Sequence, residues 1–174
     1  MRRFAAAFVL GVAVVPVAVG LLGFLGLLCV AATSQPGTLE SAFASRVVPA
    51  SLQRASAGLQ GPAASEPLLL VGMRLYRNNC AGCHGDSQGP SLWGATSFYP
   101  RAPQFAQDGS RLSTAQMYVA VKYGIRYSGM GAWKNLMSDD DIWRVVTFLG
   151  QLQHLPPTVD SVWKSKQQAR AGGA

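Results

Sequence analysis

Hydrophobic residues form one long block at the start of the chain and short periodic runs after it. From Phe4 to about Ala32 the chain is apolar and uncharged, and Arg2 and Arg3 precede this block. At about 1.5 Å rise per residue, a helix of this length can cross a hydrocarbon core of about 30 Å. We therefore predict that residues 1–32 are a single transmembrane anchor, an export signal that is retained, with the N-terminus in the cytoplasm. The alternative is a cleaved signal peptide, although a cleavable apolar core usually spans only about 7–15 residues.

The segment that follows the apolar block shows no sustained periodicity. Residues 33–66 are rich in Ser, Ala, Gln, Pro and Gly, and only Leu39 to Val48 form a weakly amphipathic run. Such a composition is typical of flexible connections, in which the chain behaves as a coil. We predict a flexible linker over residues 33–66.

Helical periodicity begins after Pro67. Apolar residues recur at helical spacing from Leu68 to Tyr76, and the Asn78-Asn79 pair ends this pattern. A further short helix is predicted over residues 115–123, with Ser113 as its N-cap.

The last amphipathic run has the clearest start signal in the chain. Ser138 is followed by three aspartates, which place a capping hydroxyl and three carboxylates at the positive end of a helix dipole. The apolar stripe of this helix continues to Leu149, and Pro156-Pro157 ends it. Residues 67–156 are thus predicted to form one all-α domain of short helices and long loops, and residues 157–174 a C-terminal tail.

Between the first two predicted helices lies the sequence Cys80-Ala81-Gly82-Cys83-His84. Cys-x-x-Cys-His is the attachment pattern of haem c. Two thiols at this spacing can each form a thioether to one porphyrin vinyl group, and the adjacent imidazole can then bind the iron. Other uses of the pair are less consistent with the chain: a zinc site needs further ligands, a thioredoxin-type motif follows a strand, and a disulfide would close a strained loop.

A second axial iron ligand has several candidates in the chain. Met130 is favoured because it lies between two glycines in an irregular loop, where the backbone can approach the haem face closely. A thioether there raises the reduction potential and closes the site that dioxygen or peroxide would need, which favours electron transfer over catalysis at the iron. The other candidates are Met73, Met117, Met137 and His154.

Three segments of the chain resemble class I bacterial cytochromes c that carry a single haem. Residues 76–85 are similar to their haem-attachment site, residues 124–133 to their methionine-ligand loop, and residues 138–149 to their C-terminal helix. The similarity covers about half of the chain, from Leu68 to Leu155. It implies the small all-α class I cytochrome c fold around one covalent haem c, here preceded by a transmembrane helix. It also implies that the loop of residues 99–103 wraps the lower edge of the haem.

The resemblance also implies further haem contacts. Pro90 is expected near His84, where a backbone carbonyl orients the imidazole. Trp93, Arg101 and Trp133 are expected around the haem propionates. The chain departs from the family at Gly131, where such loops often carry proline, so the methionine bond to iron is expected to be more labile.

The charge of the chain bears on its partners. It carries 15 Lys and Arg against 8 Asp and Glu, for a formal net charge of +7. This excess either serves solubility alone or steers the protein toward redox partner proteins with acidic docking surfaces. The basic residues are scattered and form no known nucleic-acid-binding motif, so nucleic acid is not expected as a partner.

Together these patterns predict an electron carrier and not an enzyme. It would be a tethered shuttle, or a subunit of a respiratory or photosynthetic complex, in the bacterial inner membrane with its haem domain on the periplasmic side. The alternatives are a peroxidase-like haem enzyme and a haem-based sensor.

Overall fold

The computed structural model describes residues 2–165, with side chains from residue 11 onward, and it contains two compact units. The first unit comprises residues 1–34 and contains helix α1, Arg2–Phe24. The helix ends before the apolar block does, and Gly26 takes a left-handed conformation (φ 70°) in the turn that follows. No helix in the part of the chain described here combines the length and apolarity that crossing a membrane requires. Residues 1–10 of the predicted anchor lie outside the described side chains.

The second unit, from Gln35 onward, is built from helices. Within residues 35–165 there is no β-strand, only an isolated bridge between Asp86 and Gly89, so the predicted all-α class is confirmed. The helices are α2 (Thr38–Ala55), α3 (Glu66–Asn79), α4 (Ala81–His84), α5 (Leu92–Thr96), α6 (Phe105–Asp108), α7 (Thr114–Tyr123), α8 (Asp139–Gln151) and α9 (Pro157–Lys164).

Helices α3 and α8 pack closely and form the centre of the core. A Cβ placed at Gly72 on α3 would overlap the backbone carbonyl of Arg144 on α8, so only glycine permits this approach. Tyr76 and Phe148 lie beside this contact, both fully buried, with ring centroids 5.9 Å apart. Aromatic burial of this kind contributes about 3–5 kcal/mol per side chain, as judged from truncation to alanine. Helix α3 is thereby fixed against α8.

The predicted helix starts at Ser113 and Ser138 are confirmed. The Ser113 hydroxyl accepts from the Gln116 backbone N–H, and the Gln116 side chain accepts from the Ser113 N–H, which completes a capping box. The Ser138 hydroxyl accepts from the Asp141 N–H at the start of α8. Each cap satisfies backbone donors that the helix itself leaves unpaired.

The predicted flexible linker contains a helix instead. Helix α2 occupies most of the segment, and its residue Leu52 and the C-cap residue Ser56 are buried in the domain. The Gln53 side chain accepts a hydrogen bond from Gln116 on α7 at 2.8 Å. The run from Leu39 to Val48 that was only weakly amphipathic in sequence is thus part of an ordered helix, because α7 supplies a surface that the local pattern does not reveal.

The predicted C-terminal tail also begins with a helix. In α9, Val159 and Trp163 are buried against α3, and the Trp163 ring lies 6.0 Å from the ring of Tyr76. Thr158 donates a hydrogen bond to the carboxylate of Glu66 at 2.7 Å. Helix α8 ends at Gln151, before Pro156-Pro157, and the second proline occupies the first turn of α9, a position that proline tolerates. Residues 166–174 of the predicted tail lie outside the described residues.

Candidate haem-attachment site

The Cys80–His84 motif forms a helical turn at the end of α3. The Cys80 backbone N–H donates to the Tyr76 carbonyl at 2.7 Å, and the His84 N–H donates to the Cys80 carbonyl at 3.0 Å. Gly85 then ends the turn in a left-handed conformation (φ 68°). A Cβ placed at Gly82 would meet no atom within 4 Å, so this side of the turn is open to a bulky group.

The two thiols of the motif are free and half-buried. Burial, aided by the nearby Cys83, raises the pKa of Cys80 to about 12. Cys80 therefore stays a thiol at neutral pH, whereas cysteines that exchange disulfides rapidly have lowered pKa values. An uncharged thioether suits this partly buried environment.

The His84 ring is held by Pro103 and by Phe105, the first residue of α6. Its Nδ1 lies 2.8 Å from the Pro103 carbonyl oxygen, and its ring stacks on Phe105 with centroids 4.8 Å apart and planes 21° from parallel. Burial lowers the pKa of His84, and the bond to Pro103 opposes this effect only in part. A neutral imidazole that donates from Nδ1 to a carbonyl keeps the lone pair of Nε2 for a metal, which is the usual arrangement of a histidine ligand.

Pro90 was predicted for the role that Pro103 fills. Its Cα lies instead against Gly85, 2.9 Å from the position that a Cβ of that glycine would take. Pro90 packs on the backbone of Gly85, which ends the turn. The carbonyl that faces the His84 imidazole comes instead from Pro103, in the loop of residues 99–103. The resemblance to class I cytochromes c implied that this loop wraps the lower edge of the haem, but it did not single out Pro103.

Gln104, which the sequence did not single out, fastens this loop to the attachment turn. Its side chain is 8% exposed, donates to the Cys83 carbonyl at 3.1 Å and to the Ala102 carbonyl at 2.8 Å, and accepts from the Ser91 N–H at 2.7 Å. Three segments of backbone therefore meet on one amide. No local pattern could have revealed this, because a glutamine in a polar loop is normally solvated.

Tyr76 supports the same turn from the core. Its hydroxyl donates to the Gly85 carbonyl at 2.7 Å and lies 3.2 Å from the His84 carbonyl oxygen. Burial raises the pKa of Tyr76, so the hydroxyl remains a donor. The sequence placed this residue on the packed face of its helix but did not predict its contact with the turn.

A series of contacts leads from the attachment turn to the loop that carries Met130. A Cβ at Gly94 on α5 would overlap the Cys83 carbonyl oxygen, so α5 lies directly on the turn. Trp93, 58% exposed, packs edge-on against Phe98 with centroids 4.7 Å apart. The Phe98 ring in turn lies where a Cβ of Gly129 would be. The loop that carries Met130 thus contacts Phe98, which itself packs against Trp93 of α5.

Met130 is half-buried in a loop with fixed backbone geometry. Its carbonyl accepts from the Ile125 N–H at 2.9 Å, and its own N–H donates to the Ser128 hydroxyl at 3.1 Å. Gly124 (φ 72°) packs on this backbone, with the Met130 carbonyl oxygen 2.8 Å from the position of a Cβ. Coordination of iron by Met130 remains a prediction.

The other ligand candidates occupy the places that ordinary packing would give them. Met73 and Met117 are buried in the core, and Met137 packs against it. His154 is exposed near the end of α8.

Arg101 and Trp133 lie outside the attachment turn. Arg101 is exposed and donates to the Ala95 carbonyl at 2.9 Å. Trp133 packs against the core, and its N–H donates to the Val121 carbonyl at 3.1 Å. Their predicted contacts with the haem propionates, like that of Trp93, remain predictions.

Residues 68–149 match the family model described as cytochrome c oxidase, cbb3-type, subunit III. No curated protein matches the chain. Among solved structures, the chain is similar to the reducing HAO-like protein complex of Kuenenia stuttgartiensis, with 20% identity and a TM-score of 0.42, over 55% of this chain and 47% of that one. The chain thus spans about half the length of that structure. The family match supports a c-type cytochrome domain with covalently bound haem c and a function in haem-based electron transfer.

The residues present fit a covalently held haem. An uncharged thiol at Cys80, an imidazole whose Nδ1 is engaged, and an open face at Gly82 are what the attachment chemistry requires. Leu92 and Trp93 on α5 expose large apolar surfaces beside the turn, 78% and 58% respectively, which a macrocycle can cover.

Proposed function

We propose that the chain is a one-electron carrier with a single haem c, bound through Cys80 and Cys83 and ligated by His84 and Met130. The observation that carries this proposal is the bond between His84 Nδ1 and the Pro103 carbonyl within a Cys-x-x-Cys-His turn. Haem c, when bound there, supplies an iron that accepts and releases one electron. The surrounding residues bind the haem and hold its iron ligands in position.

The protein's contribution is to hold its ligands in one arrangement. The imidazole of His84 is restrained by Pro103 and by the ring of Phe105, and the turn itself by Gln104 and Tyr76. Ligands that are fixed in advance need not reorganise when the charge at the site changes, which favours rapid electron exchange. A thioether from Met130 would leave no open position for dioxygen or peroxide.

Attachment to the bacterial inner membrane through the N-terminal segment is part of the same proposal. It is supported by the apolar, uncharged stretch that follows Arg2 and Arg3. Since α2 already belongs to the domain, the flexible connection is reduced to about residues 33–37. A tether this short would keep the haem domain close to the outer surface of the membrane and raise its effective concentration near membrane-bound partners. An oxidase complex, whose subunit the family description names, is the proposed setting, and the basic surface would favour acidic partners.

Replacement of Met130 by Ala tests the iron coordination, with Met137→Ala as the matched control. The oxidised unaltered protein should show a low-spin spectrum with the weak band of a methionine–iron bond. Met130→Ala should lose this band and bind carbon monoxide when reduced, whereas Met137→Ala should retain the unaltered spectrum. A high-spin spectrum of the unaltered protein would overturn the methionine assignment, and substantial peroxide turnover by it would favour the haem enzyme.

A further inference from the structure

Helix α2 has two apolar faces, although it packs on the domain with only one. The inner face is buried or half-buried and comprises Ser41, Ala44, Val48 and Leu52. On the outer face, Leu39, Phe43 and Val47 repeat at intervals of four residues and are 86%, 70% and 44% exposed. Side chains at this spacing lie above one another, so they form a continuous apolar stripe. We refer to Leu39, Phe43 and Val47 as the outer stripe.

The charges around the outer stripe have one predominant sign. Arg46 and Arg54 are exposed, and their positions three and seven residues from members of the stripe place both on the same side of the helix. Glu40 is the single acidic residue of α2. An apolar stripe flanked by arginines is the arrangement of helices that lie in the interface of an anionic membrane.

The position of α2 in the chain brings it close to the proposed tether. Only residues 33–37 separate the apolar N-terminal block from the first residue of the helix, Thr38. At about 3.5 Å per residue, six steps of extended chain reach roughly 20 Å. If the block resides in a bilayer, the outer stripe is therefore always within reach of its surface.

We propose that the outer stripe of α2 lies in the headgroup region of an anionic lipid bilayer, with Arg46 and Arg54 directed at lipid phosphates. This inference rests on the proposed attachment of the N-terminal segment to the membrane. A lipid surface is favoured over a protein partner because the chain itself delivers the stripe to the bilayer and because the flanking cations match anionic headgroups.

Adsorption of α2 would also orient the haem domain. The helix is joined to the domain by buried Leu52, by the 2.8 Å bond between Gln53 and Gln116, and by a 3.3 Å bond between Ser41 and the Tyr99 hydroxyl. Tyr99 belongs to the loop whose carbonyl at Pro103 holds His84. A membrane-bound α2 would thus present a constant face of the haem site to partners in the same membrane.

The test measures the accessibility of single cysteines in the full-length haem-loaded chain. In a Cys29→Ser background, Cys80 and Cys83 are consumed by the thioethers, so an introduced cysteine is the free thiol. Phe43→Cys reports on the outer stripe, and Ser45→Cys, exposed on another side of α2, is the matched control. Both proteins are treated with a charged maleimide in detergent and in nanodiscs of phosphatidylcholine with or without phosphatidylglycerol, and the labelled positions are identified by mass spectrometry.

In nanodiscs that contain phosphatidylglycerol, the cysteine at position 43 should react at least about ten-fold more slowly than that at position 45, as expected for a thiol below the headgroups. The difference should shrink in detergent, without phosphatidylglycerol, or after substitution of both arginines by glutamine. Equal labelling rates at positions 43 and 45 in every condition would refute the inference. Protection of position 43 that does not depend on lipid and grows with protein concentration would also refute it, because it would indicate contact with a second copy of the chain. Label at Cys80 or Cys83 would show that the haem proposal has failed. Protein that washes off the nanodiscs in carbonate would show that the tether has failed.

Discussion

Substitution of Gln104 by Leu should weaken the support of the haem-attachment turn without changing its shape. Leucine is similar in volume but can neither donate nor accept hydrogen bonds. The substitution would remove the bonds from the Gln104 amide to the Cys83 and Ala102 carbonyls at 3.1 and 2.8 Å, and the bond from the Ser91 N–H at 2.7 Å. The loop that presents Pro103 to His84 would then be held less firmly.

The magnitude follows from the burial of the groups involved. Gln104 is 8% exposed, so its three partners could not all recover hydrogen bonds to water after the substitution. Each buried polar group left unpaired costs about 1–3 kcal/mol, and leucine recovers part of this through apolar burial. A loss of roughly 2–4 kcal/mol in the free energy of unfolding is therefore expected.

The assay is denaturant unfolding of the haem-loaded protein, followed by the Soret absorbance, together with a potentiometric titration. Gln107→Leu is the control, because Gln107 is exposed and makes one long bond of 3.3 Å to the Asp86 carbonyl. The control should change stability by less than about 0.5 kcal/mol. If Gln104→Leu unfolds at the same denaturant concentration as the control and keeps the same reduction potential, the reasoning about this amide is wrong.

Three further substitutions test other parts of the structure. Gly94→Ala should abolish or strongly reduce the yield of haem-loaded protein, because the added methyl group would overlap the backbone of the attachment turn. Gly37→Ala, outside this site and with no atom within 4 Å of the added carbon, should leave the yield unchanged. Trp163→Ala should lower the free energy of unfolding by about 3–5 kcal/mol if α9 is part of the core, and a change near zero in chemical denaturation would restore its assignment as a loose tail. The hydrogen bond from Lys122 lowers the pKa of Asp139, so this pair contributes stability that is present above the unfolded pKa of the carboxyl group and is lost as the pH falls through its folded pKa. Asp139→Asn should therefore flatten the acid limb of the curve of unfolding free energy against pH. An unchanged acid limb would contradict a stabilising role of the Lys122–Asp139 pair.

The sequence alone could predict the features that are encoded within a few residues. The caps at Ser113 and Ser138 are formed by a side chain and the backbone three positions later, so their sequence signals are complete by themselves. The same holds for α3, whose apolar stripe and terminal asparagines define it locally. The attachment motif is also local, since both thiols and the imidazole lie within one turn of Cys80–His84.

The segments predicted as a linker and a tail contain helices α2 and α9, which the local pattern did not reveal because their order depends on distant residues. Helix α2 is ordered by α7, through Leu52 and the bond between Gln53 and Gln116. Helix α9 is ordered by α3, whose Arg77 donates to the Trp163 carbonyl and lies over its ring. A weak helical pattern becomes a stable helix when tertiary contacts supply the burial that propensity does not.

For the haem site, the sequence determined which residues can react, and the tertiary structure decided how they are held. The proposed roles of Cys80, Cys83 and His84 rest on their spacing, which is fixed by covalent neighbours. Which carbonyl faces the imidazole was settled by the return of a loop 19 residues downstream, which brought Pro103 rather than Pro90 to His84. Loop closure of this kind is a property of the whole packed domain, so no local pattern could specify it.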